Sequence, residues 1–185
     1  QFVLGGGKAF VLVDPFSEED VPPQDPSNPM AGMGQPRNSD LGPLLEAWGV
    51  TYDSGQVLAD RQAALRVSDR SGEAVDYVAW LGLSAENIDQ EDPVTADLGL
   101  LRIPAPGVLV PIEGATTTVT PLLWSSPISM VLPADRLGFF PDPKKLQTEF
   151  RPDDEEHVIA ARILGPAQTA FPDGPPVEPA GGGES

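Results

Sequence analysis

Gly5-Gly6-Gly7-Lys8-Ala9-Phe10-Val11-Leu12-Val13-Asp14-Pro15 constrains the fold more than any other stretch of this chain. Glycines supply the left-handed residue that commonly ends a helix, so Gln1-Phe2-Val3-Leu4 reads as a last helical turn, with the chain entered in mid-fold. Phe10 to Val13 is an apolar run without the alternation of a half-wet strand, which predicts a strand covered on both faces. Such strands belong to parallel sheets. The expected fold class is therefore α/β: a partly parallel sheet flanked by helices, loop-rich, with additional β-strands in the C-terminal half. Asp14 then falls at the strand's carboxyl edge, where open α/β sheets place their ligands. The competing reading gives Asp14 a capping or turn role through Pro15.

At 185 residues the chain is long enough for a real core, and we expect a single domain over residues 1–171. The remainder, 172–185, carries Pro175-Pro176, Pro179 and Gly181-Gly182-Gly183 and reads as a linker or tail. Twenty-eight acids against 11 bases leave a charge of −17, which argues against nucleic acid and anionic lipid as partners, since both need Lys and Arg on phosphates. The absence of cysteine excludes a thiol nucleophile, disulfides and cysteine-based metal sites. No run approaches the ~20 apolar residues of a membrane span, so no direct insertion by this segment is expected.

Helical spacing of Leu41, Leu44, Leu45 and Trp48, with Ser39-Asp40 before it and Gly49 after it, predicts a helix. A second is expected over Pro143 to Phe150, where proline opens the segment and Leu146 and Phe150 are four apart. Val50 to Tyr52, Gln56 to Asp60, Leu65 to Val67, Val75 to Leu83, Leu98 to Ile103, Thr116 to Leu123, Ile128 to Leu132 and His157 to Leu164 read as strands. Ser84 to Ile88 and Pro93 to Ala96 read as short helical turns. Asp14 to Asn38, with six prolines and no apolar period, reads as a long loop.

Several blocks of the chain, in order, resemble the extracytoplasmic region of GldG-type proteins, auxiliary components of gliding-motility-type ABC transport systems. They are Gly6 to Pro15, Leu44 to Val50, Val57-Leu58-Ala59-Asp60, Asp92 to Leu98, Val119 to Pro127, and Ala160 to Pro166 with Ala170 to Gly174. The resemblance implies a flavodoxin-like or class I glutamine amidotransferase-like fold, held outside the membrane as a periplasmic domain of a membrane-anchored parent. It also implies permease and ATPase subunits as partners. A sheet excerpted from such a parent would expose an unpaired apolar edge, so a homo-oligomer is a further expectation.

Amidotransferases attack amides with a cysteine activated by histidine, and this chain has no cysteine, so the reading is non-catalytic, with no cofactor and no metal. The enzymatic alternative is a divergent serine hydrolase using Ser125 or Ser126, which come directly after an apolar run; it requires the only histidine, His157, to reach them. The third reading is a carbohydrate- or peptide-binding module using Asp14, the long loop and an exposed tryptophan among Trp48, Trp80 and Trp124. Asp14, Ser125 and Ser126 are accordingly the candidate ligand-binding residues. The acidic runs Glu18-Glu19-Asp20 and Asp153-Asp154-Glu155-Glu156 lack calcium-loop spacing and read as solvated charge. Neither Gly5-Gly6-Gly7 nor Gly32-Met33-Gly34 opens a helix, as a phosphate cradle would require.

Overall fold

The computed structural model describes residues 2–18, 37–69, 71–138 and 141–174. Most of the loop expected over Asp14 to Asn38, with Glu19, Asp20 and Gly32 to Gly34, lies outside the described residues, as does the tail beyond Gly174.

The helix stop is present in its hydrogen bonds. Gly6, at φ +88°, donates to Val3 O, and Gly7 donates to Phe2 O, the paired bonds of a Schellman motif. The strand expected next is not there. Phe10 to Val13 pair with nothing among the described residues, and Phe10 and Leu12 are 86% and 80% exposed. A four-residue apolar run fixes hydrophobicity but not what covers it, and here it lies on the surface. The chain rejoins the body at Asp14, whose N–H donates to Ser39 Oγ and whose carbonyl accepts from Ser39 N.

Helix α1 (Pro43–Ala47) buries Leu45 and ends before Gly49, at φ +91°, where a side chain would collide with Thr117. The chain then forms four strands and a 3-10 turn: β1 (Val50–Tyr52), β2 (Gln56–Asp60), β3 (Ala64–Ser68), β4 (Ala74–Leu83) and the turn Ala85–Asn87. Next come β5 (Leu101–Pro104), β6 (Leu109–Pro111), β7 (Thr118–Trp124) and β8 (Ser129–Pro133). Helix α2 (Pro143–Glu149) starts on Asp142, whose carboxylate accepts from Lys144 N and Lys145 N, and β9 (Val158–Leu164) closes the order.

Every strand pair among the described residues is antiparallel: β1 with β6, β2 with β8, β3 with β4 with β5, and β7 with β9. This overturns the partly parallel, flavodoxin-like or amidotransferase-like sheet. The connections explain why. Parallel neighbours need crossovers of about a dozen or more residues, whereas β3 turns into β4 through a hairpin in which Gly72 N donates to Asp69 O. α2 lies between β8 and β9, which do not pair, so it forms no βαβ crossover.

Strand β2 shows why burial on two faces does not imply a parallel neighbour. Val57 and Ala59 enter one core cluster with Tyr77, Leu132, Leu146 and Phe150, while Leu58 enters a second with Leu81, Leu83, Ile88 and Leu123. It is thus buried on both faces, as the apolar run 57–59 implies, yet it pairs antiparallel with β8. Two-sided burial reports layers packed above and below a strand and leaves its neighbour's direction open.

Candidate functional site

Ser125 and Ser126 come directly after β7, whose pairing with β9 shifts register between Pro121 and Leu123 and again between Leu123 and Trp124. Pro121 has no N–H for the ladder, and bulges of this kind bend a strand and re-aim the residues beyond them. The chain end is thereby turned towards the end of β2, and both serines are buried.

Ser125 and His157 are neighbours, through the backbone. Ser125 N donates to His157 O at 3.0 Å, and His157 N donates to Ser125 Oγ at 2.8 Å. Ser125 Oγ lies 3.0 Å from Ser129 Oγ, which donates to Glu155 O; with that proton committed, Ser125 is the donor of the pair. The imidazole is elsewhere, its Nε2 2.9 Å from Asp153 Oδ2. A serine nucleophile needs an imidazole nitrogen at its hydroxyl, and this arrangement offers an amide instead.

Ser126 belongs to a second buried knot that sequence reasoning passed over. Asp60, fully buried at the end of β2, accepts from Ser126 N at 2.6 Å on Oδ2. Its Oδ1 accepts from Ser126 Oγ at 2.8 Å and from the backbone N–H groups of Gln62 and Ala63. Four donors converge on one carboxylate that joins positions 66 apart. An aspartate closing the apolar run 57–59 is a legible signal for a side chain folding back on the next N–H groups. Nothing local points to Ser126.

Asp14 is half-buried, and its Oδ1 accepts from Phe16 N at 2.9 Å, the turn geometry of the competing reading. Burial raises its carboxyl above the ordinary range, and the Phe16 bond opposes that shift. Tyr52 is near. Its hydroxyl is buried without a hydrogen-bond partner among the described residues, and burial, then the charges of Asp14, Asp40 and Asp53, push the phenol well above its usual range.

Trp80 Nε1 donates to Glu18 Oε1 at 2.7 Å, so this acid of the expected solvated run is tied to β4. Tyr77 packs 5.6 Å from Trp80, ring centre to ring centre, and burial followed by the Glu18 charge pushes its phenol up to about 12. Trp124 Nε1 donates to Glu86 O, and all three tryptophans are half-buried. A cleft of about 170 Å³ is lined by Glu46, Ala47, Ile112, Glu113, Thr116 and Gln168 among others, and by none of Asp14, Ser125 and Ser126. Among the described residues no three His, Cys, Asp or Glu side chains are grouped to hold a metal ion, and no helix is long and apolar enough to cross a membrane.

No curated protein and no solved structure matched the chain. A family model described as "ABC-type uncharacterized transport system" matches residues 1–185, the full span that carries the GldG-like blocks. The chain belongs to this family of auxiliary components of ABC-type transport systems.

Proposed function

We propose that this chain is a non-catalytic, extracytoplasmic interaction domain of an ABC-transporter auxiliary protein, working beside a permease and an ATPase. The family match over the whole chain is the observation that carries the reading. Residues 1–171 act in it as one unit of a membrane-anchored parent on the periplasmic side, and recognition by this unit is transmitted through the parent's membrane helices. Two features support a binding role over turnover. The hydroxyl of Ser125 and the ring of His157 have separate partners, and Ser126 is held on Asp60. Of the three sequence candidates, Asp14 is the one we retain as a contact residue, because it is partly exposed at the surface beside the long loop.

The test is affinity purification of the full-length parent from native membranes in mild detergent. Co-purification of a permease and an ATPase is the expected result. Their absence, or turnover of a small amide or ester by the purified domain, overturns the proposal. A phosphatase fusion at the domain, active only outside the cytoplasm, checks the side of the membrane independently.

A further inference from the structure

Residues 14–18, Asp-Pro-Phe-Ser-Glu, lie along a groove whose walls come from β1, β4 and the stretch after β5. Pro15 is buried beside the Tyr52 ring, and the Gly107 backbone runs so close that a Cβ there would sit 2.5 Å from Tyr52 and 3.4 Å from Pro15. Phe16 packs against the core cluster that holds Tyr77, Val78, Ala79 and Ala105, and Glu18 Oε1 accepts from Trp80 Nε1 at 2.7 Å. Ala105 stands at φ +44° between two prolines, a conformation alanine rarely holds, so this part of the wall is strained. Proline laid against tyrosine and tryptophan is the arrangement by which aromatic grooves recognise extended peptides.

The chain's own segment fits this groove incompletely. Tyr77 is 4% exposed and Tyr52 is half-buried, yet neither buried hydroxyl has a hydrogen-bond partner among the described residues. Both hydroxyls lie near the segment, since the Glu18 charge acts on the Tyr77 phenol and the Asp14 charge on the Tyr52 phenol. A buried hydroxyl without a partner forfeits the hydrogen bond it made in water, and an occupant that supplied an acceptor would restore it. The segment's backbone bonds run away from the groove. Asp14 N donates to Ser39 Oγ and Asp14 O accepts from Ser39 N, Ser17 N donates to Arg37 O, and Phe16 N is on the Asp14 carboxylate. Residues 14–18 and 37–39 are thus free to lift as one piece, at the loss of the Glu18–Trp80 bond, the bond from Asn38 Nδ2 to Ser54 O and the apolar contacts.

We propose that residues 14–18 are an internal strap in a peptide-binding groove, displaced by an extended segment of a partner protein that carries a proline and an aromatic residue and offers a hydrogen-bond acceptor to each of Tyr52 and Tyr77. The strap of a second copy has the same sequence and leaves the same hydroxyls unpartnered, so exchange between copies brings no new bond. The inference goes beyond the transport reading and is tested apart from it, because peptide capture by the isolated chain neither needs a permease nor reports on one.

Fluorescence anisotropy of a labelled Asp-Pro-Phe-Ser-Glu peptide, titrated with the 185-residue chain, tests the groove. Glu18→Ala loosens the internal competitor, so this variant binds the peptide at least about tenfold more tightly than the unaltered chain does. Phe16→Ala gives the same gain and serves if Glu18→Ala loses the circular dichroism spectrum of the fold. A peptide with alanine at its proline and phenylalanine positions does not bind. Equal binding to unaltered and loosened chains, binding to neither, or undiminished binding of the alanine peptide overturns the proposal. The hydroxyls are tested separately: Tyr52→Phe and Tyr77→Phe leave the urea midpoint unchanged or raise it, and a fall in either shows a phenol already bonded inside the fold. Such a fall also overturns the proposal. In sedimentation the loosened chain stays at 19.5 kDa, and a doubled mass, meaning straps exchanged between copies, counts against a partner protein as the occupant.

Discussion

Ser125 Oγ stands 2.8 Å from a nitrogen of His157, and everything chemical depends on that nitrogen being the backbone's. A side-chain imidazole there would make a base; an amide makes a strut, and the hydroxyl satisfies a partly buried donor. We therefore expect Ser125→Ala to leave that amide without its partner and to cost about 1–3 kcal/mol in urea unfolding. His157→Ala removes a ring that is 15% exposed together with its contact to the Asp153 carboxylate, itself 36% exposed, and it should cost about 1 kcal/mol or less. A larger loss for the histidine than for the serine would show that the ring, not the hydroxyl, holds this corner. Position after an apolar run pointed to Ser125, Ser126 and Asp14, and the turn role of Asp14 was legible because Asp-Pro after such a run is local chemistry. The link from Asp60 to Ser126 was not legible, because the two lie 66 positions apart.

Between elements, the tie with the clearest consequence joins α2 to the β3–β4 hairpin. Lys144 Nζ lies 2.8 Å from Asp69 Oδ2 and 2.7 Å from Glu73 Oε2. The ammonium group, then the Ser71 hydroxyl, hold the Asp69 carboxyl well below its ordinary value of 3.8. The unfolded chain thus binds a proton that the folded chain still refuses. Stability from this contact is complete above pH 3.8 and is lost as pH falls below it. In a carbon-detected NMR titration, Asp69 should show no midpoint near 3.8, and Lys144→Ala should raise its midpoint; an ordinary midpoint in the unaltered chain defeats the assignment. Helix α2 itself was readable from Pro143 and the Leu146–Phe150 spacing, and both of those apolar residues are buried. Strand β6 was not, since Leu109-Val110-Pro111 is too short to show a period and becomes a strand only by pairing with β1.

Over the whole molecule the charge of −17 acts against compactness. Added salt screens that repulsion, so the midpoint of thermal unfolding should rise between about 10 and 150 mM NaCl, as the screening length falls from about 30 to 8 Å. A midpoint that falls over this range would mean that short ion pairs such as Arg162–Asp92 outweigh the net charge. The sequence by itself determined the acidity, the absence of thiol chemistry, the family and the positions of most strands and of both helices, because composition, caps and periodicity act over a few residues. Only the tertiary structure decided that the pairs run antiparallel, that Phe10 to Val13 lie on the surface and that Ser125 meets a backbone amide. Each of those outcomes is set by which distant segment arrives alongside. Loop closure and packing between parts of the chain far apart in sequence govern that choice, and a local pattern carries no record of it.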